Sequence, residues 1–134
     1  MEELTKVKIN MFTKAVNNFT ESLKLDLDKY SEMERDLIKN GQIQKFEFSI
    51  ELMWKTIKDY INEKYGLDIS SPKIVIKIYF EKGHIDYDFY EKAIKAIDDR
   101  NKLSHIYKEE MFKEVYSNLK EYDILFKKII ENMV

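Results

Sequence analysis

From Asp98 to Tyr107 the chain reads Asp-Asp-Arg-Asn-Lys-Leu-Ser-His-Ile-Tyr, a fixed cation, an amide, an imidazole and a phenol in close succession. An arginine fork grips two phosphate oxygens at once. A histidine, with a free pKa of about 6.5, takes or gives a proton at neutral pH. Arg100 and His105 therefore have the parts to activate a ribose 2′-hydroxyl and to stabilise charge on the neighbouring phosphate without a metal. On a helix Asn101 and His105 share a face at i and i+4. Arg100 would lie about 140° around from His105, so the two converge only through the long arginine side chain or across a helix end. The same residues also suit a plain structural use, with Arg100 pairing Asp98 or Asp99 and His105 capping carbonyls. Between Glu91 and Lys108 five basic residues stand against three acids, a local +2 on a chain of net charge −2. That contrast fits a small anionic cleft or an ordinary mixed surface.

A second cluster lies upstream. Glu47 and Glu51 are one turn apart, Glu51 and Lys55 form a favourable i,i+4 pair, and Trp54 sits beside them. The group reads as a cleft or partner-docking surface, or as a core tryptophan flanked by surface salt pairs. His84, in the turn Lys82-Gly83-His84, reads as exposed. With only two histidines, no HxxxH or HExxH pairing and no repeated ExxH, no metal site is expected. Three scattered glycines cannot build a phosphate-cradling loop, and no cofactor is expected.

These residues need helices to position them. Leu4, Val7, Met11, Ala15, Phe19 and Leu23 recur in steps of three and four, predicting a helix over 3–25. A second helix, over 31–64, carries Ile43, Phe46, Ile50, Met53, Trp54, Ile57 and Ile61, with Asn40-Gly41 as a possible kink or break. Phe48 and Leu52 lie off that stripe and are candidates for a subunit interface or for core packing. Residues 73–80 are β-branched, yet Ser71, Pro72 and Gly83 are helix punctuation, so the stretch is read as a short helix. Asp86 caps a fourth helix with Phe89, Tyr90, Ala93, Ile94 and Ile97 inward. A last one spans 109–133 on Phe112, Val115, Leu119, Tyr122, Phe126, Ile129 and Met133. The expected fold is all-α: an antiparallel up-and-down bundle of four long helices and one short one, a single domain over 1–134.

Composition agrees. The chain is 44% hydrophobic and 36% charged, too apolar for disorder and too charged for a membrane protein. One proline and three glycines are too few to turn a many-stranded sheet, and the absence of cysteine excludes disulfides, thiolate metal sites and cysteine nucleophiles. With no apolar run long enough to span a bilayer, and an N-terminus carrying acids where a signal peptide needs a basic start, a cytoplasmic protein is expected.

Three ordered blocks carry a family resemblance. Arg100 to Tyr107 has the form R-x4-H-x-Y with Asn directly after Arg, which resembles the signature of HEPN (higher eukaryotes and prokaryotes nucleotide-binding) domains. Gln44 to Lys55, QKFEFSIELMWK, is similar to the Q-R-F-E-F-x-x-E-L-x-W-K block of one HEPN branch, the nucleotidyltransferase substrate-binding proteins. SPKIVIKIYFEKG resembles that branch's S-P-R-x-V-I-R-x-A-F-x-x-G stretch and stands between the other two. Lys45 and Lys73 replace the usual arginines, keeping charge but not the fork, and Lys108 replaces an acid that would cap the last helix. The resemblance implies a homodimeric, metal-independent ribonuclease toxin in which Arg100 stabilises the scissile phosphate, Asn101 orients the pair and His105 is the general acid or base. It also implies a minimal nucleotidyltransferase partner acting as antitoxin, with Tyr107 as acceptor of AMP groups. The alternative is a non-catalytic substrate- or nucleotide-binding subunit of a two-component nucleotidyltransferase. Cleavage through a 2′-hydroxyl benefits from both an acid and a base, and one motif histidine per chain independently favours a two-fold pair.

Overall fold

The punctuation in the sequence becomes helix ends in the computed structural model, which describes the backbone of residues 3–105 and 109–134 and the side chains of 3–103 and 109–134. Among the described residues six α-helices follow one another: α1 Glu3–Leu23, α2 Glu32–Tyr65, α3 Pro72–Glu81, α4 Tyr87–His105, α5 Glu109–Ser117 and α6 Leu119–Met133, with a single 3-10 turn at Leu27–Lys29. No strand occurs among the described residues, and none of the described helices is long and apolar enough to cross a membrane. The expected antiparallel helical bundle is what forms.

Each boundary has a local cause. Ser31 and Glu34 make a reciprocal capping box at 2.9 and 3.2 Å, which starts α2. The helix runs unbroken through Asn40-Gly41 and stops at Gly66, whose φ of 69° suits a residue without Cβ. Pro72 opens α3 in place of the strand its propensities suggest. The Asp86 carboxylate accepts from the Phe89 amide at 2.9 Å and starts α4. The expected final helix is present as two, α5 and α6. At the junction Asn118 N–H donates back three residues to Val115 at 3.0 Å, and the Ser117 hydroxyl donates to the Glu114 carbonyl at 2.6 Å. Short polar side chains here compete with the regular helical bonds.

α1 packs along α2, α3 against α2 and α4, and α6 against α1, α2 and α4. The core holds a nest of rings: Phe46 stacks on Tyr122 at 5.1 Å, and Phe12 and Phe19 meet Phe126 edge-on at 6.0 and 5.8 Å. On α1 the face differs from the expected one. Ile9, Phe12, Ala15, Val16 and Phe19 are buried, whereas Leu4, Val7 and Met11 face solvent. Helix α1 carries two apolar stripes roughly a third of a turn apart, and α2 with α6 cover only one of them. Phe48 is 58% exposed and Leu52 half-buried, so the first of these off-stripe residues is not core.

Candidate functional site

Helical period puts Glu47, Glu51 and Lys55 on one strip of α2, one turn apart each. Helix α4 lies beside it, so Arg100 near the C-terminal end of α4 faces that strip. The Arg100 Nε is 3.4 Å from Glu51 Oε2, while the other carboxylate oxygen of Glu51 takes Lys55 Nζ at 3.2 Å. One carboxylate thus bridges two cations. Burial pushes the Glu47 carboxyl above the usual carboxylate range, and the nearby Arg100 charge opposes that rise. The Arg100 and Glu51 side chains are 32% and 34% exposed, open enough for an anion to reach the guanidinium. Trp54 is half-buried at the edge of the core with Lys55 Nζ 6.0 Å from its ring centroid, so it serves packing and the site margin together.

The other residues of the downstream motif part company. Asn101 leaves α4 about 100° from Arg100 and is exposed on a different face. It lines a groove of about 910 Å³ along the outer side of α4, with Tyr90, Lys92, Lys95 and Lys102 and with Glu121 of α6. The structure therefore brings Arg100 together with the upstream acids rather than with Asn101. His105 is the last residue of α4, and its side chain lies outside the described residues, as does Tyr107 altogether.

The paired aspartates, expected as partners of Arg100, take two different roles. Asp98 is half-exposed and holds Lys73 of α3 at 2.5 Å, so the lysine that replaces arginine in the third sequence block fastens α3 to α4. Asp99 is 1% exposed. It accepts from the Tyr122 hydroxyl and the Asn118 amide, the latter at 3.4 Å, and Lys102 Nζ lies 3.8 Å away. Burial first, and the bond to Asp99 second, raise the Tyr122 hydroxyl well beyond the normal range for a phenol. Asp99 thereby secures the groove floor to the α5–α6 junction. Nothing in the spacing of Asp99 announced it, because its partners come from a break that periodicity did not locate.

A further polar cluster was missed outright. His84, expected to be exposed, is half-buried at the far end of the bundle, stacked on Tyr79 at 4.7 Å and edge-on to Tyr60 at 5.4 Å. Its Nε2 shares a 2.6 Å hydrogen bond with the Tyr65 hydroxyl, and its carbonyl accepts from Asn132 of α6 at 2.6 Å. Burial, then the charge of Lys64, holds the imidazole below its ordinary pKa. His84 ties the ends of α2, α3 and α6 together, its ring holding α2 and α3 and its carbonyl α6, a structural duty. Only the surplus of tyrosines around it hinted at this in the sequence. Among the described residues no three histidine, cysteine or carboxylate side chains gather as metal ligands would.

Comparison with known proteins follows this geometry. Residues 7–134 match the family described as nucleotidyltransferase substrate binding protein like. A protein of known crystal structure from Thermus thermophilus is 28% identical and superposes with a TM-score of 0.78, covering 90% of this chain and 96% of its own. No curated protein matches the sequence. Since the family match runs through both polar blocks and nearly the whole bundle, the chain belongs to the nucleotidyltransferase substrate binding protein-like family.

Proposed function

We propose that this chain is a HEPN-type cytoplasmic subunit that works with a minimal nucleotidyltransferase, and that as a homodimer it is a metal-independent ribonuclease toxin which the partner silences. The observation that carries the reading is the meeting of the two separated sequence blocks at Arg100 and Glu51, which makes one polar site on the half-exposed seam between α2 and α4. In that site Arg100 takes the scissile phosphate in place of Glu51, since a guanidinium grips two phosphate oxygens together. His105, at the end of the same helix, moves the proton on the 2′-hydroxyl or on the leaving oxygen. AMP groups on Tyr107 would set negative charge beside Arg100 and exclude anionic RNA. Two-fold pairing supplies the second histidine that acid–base cleavage needs, and the exposed Phe48 is the residue offered to that contact.

The family description and the engagement of Arg100 by Glu51 favour a second reading, a non-catalytic subunit that presents substrate to the nucleotidyltransferase. Purified protein incubated with RNA under chelator separates the two. Cleavage by the wild type, lost in both Arg100→Ala and His105→Ala, establishes the nuclease. An intact substrate, with stable co-purification of the nucleotidyltransferase, establishes the presenting subunit.

A further inference from the structure

Glu51 is the most informative side chain of the seam, because it contacts both Lys55 on its own helix and Arg100 on another. The two contacts differ in kind. Lys55 is held within the helix at i,i+4, where the geometry persists whatever α4 does. Arg100 approaches across the helix–helix seam through Nε at 3.4 Å, longer than the roughly 2.7–2.9 Å of a strong charge-assisted bond. Although Nε itself is shielded from water, the two side chains are about a third exposed, and a contact that long is weak and yields to a better anion. Phosphate is such an anion, since its oxygens match the fork of the guanidinium. When Arg100 leaves, Lys55 keeps the Glu51 carboxylate compensated.

From this geometry we infer that Glu51 is a positioning residue and a displaceable counter-ion for Arg100, parking the guanidinium in the seam until a phosphate-bearing ligand takes it over. The inference rests on the proposed phosphate-binding role of Arg100. It gives Glu51 two separable effects: it orients the cation, and it competes with the ligand. Loss of the competition strengthens ligand binding, whereas a merely structural carboxylate would weaken binding or leave it unchanged when neutralised.

The test uses the full chain and a short 2′-O-methyl oligoribonucleotide, which cannot be cleaved, with binding followed by fluorescence anisotropy at low salt. Glu51→Gln is expected to bind about fivefold more tightly than wild type, the reach of a weak ion pair. The gain should vanish in Arg100→Ala/Glu51→Gln. Glu51→Asp keeps the charge but shortens the reach, and it is expected to fall between wild type and Glu51→Gln; it carries the test if the glutamine variant does not fold. Should neither Glu51 variant bind more tightly while Arg100→Ala loses binding, the counter-ion role is overturned and phosphate recognition by Arg100 stands. Should Arg100→Ala bind as well as wild type, both fall.

Discussion

The far end of the bundle and the α2–α4 seam use similar chemistry to opposite ends. Around His84, three tyrosines of α2 and α3 close on the imidazole and an asparagine of α6 holds the backbone carbonyl, with ring separations of 4.7–5.9 Å and hydrogen bonds of 2.6 Å. Around Arg100, two flexible charged side chains share one carboxylate at 3.2 and 3.4 Å, about a third exposed. Aromatic contacts removed from water add packing energy to each polar bond. Half-solvated ion pairs add little to stability and exchange partners at small cost. Of the chain's two histidines, His84 sits in the knot of the first of these regions, and the side chain of His105 lies outside the described residues. A cluster that binds ligands must leave something to displace, and the seam does.

The largest expected effect breaks the knot. Tyr79 is fully buried against His84 and Tyr60, so Tyr79→Ala should cost about 3–5 kcal/mol in urea unfolding. A loss under a third of that would mean that the far end is not a closed unit. Next comes Asp99→Ala, which strands the buried Tyr122 hydroxyl and the Asn118 amide. It should cost about 1–3 kcal/mol, read by the same titration. Neutral behaviour there would show that the α5–α6 junction is held by packing alone.

Arg100→Ala is the converse case: thermal unfolding should move by no more than about 1 kcal/mol equivalent while oligonucleotide binding is lost. A large destabilisation with binding intact would turn the seam into a second knot. The smallest effects are slopes with pH, and they have opposite signs. His84 has a lowered pKa in the folded state, so its contribution to stability is complete above about 6.5, the unfolded value, and falls as pH drops below it. Glu47 has a raised pKa, so the folded state is penalised above that pKa and recovers as pH falls toward the ordinary carboxylate value. Urea midpoints across mildly acidic to neutral pH should therefore lose the His84 slope in His84→Gln. In Glu47→Gln they should rise at neutral pH. Identical profiles for both variants and wild type would remove the distinction.

Much of this was readable from residues in order. The starts of α2 and α4 follow from Ser31, Glu34 and Asp86, the end of α2 from Gly66, and the helical state of 72–81 from Pro72 overriding its β-branched content. The i,i+4 pair of Glu51 and Lys55 was legible for the same reason: such contacts depend on helical geometry alone. The break at Asn118, the burial of Asp99 and the enclosure of His84 were not legible. The last two are held by groups 19 or more residues away, Asp99 by Asn118 and Tyr122, His84 by Tyr65 and Asn132, whereas the break comes from local bonds at Ser117 and Asn118 that leave the apolar period unchanged.

The division has one physical cause. Local bonding, capping and the 3.6-residue period are properties of neighbours in the chain, so the sequence alone determined the helical state, the ends marked by caps, and which residues share a face. Which face is covered depends on what another helix brings. Only tertiary structure left Leu4, Val7 and Met11 of α1 in water and gave Arg100 to a glutamate of α2. A helix knows its stripes; its neighbours decide which of them stay dry.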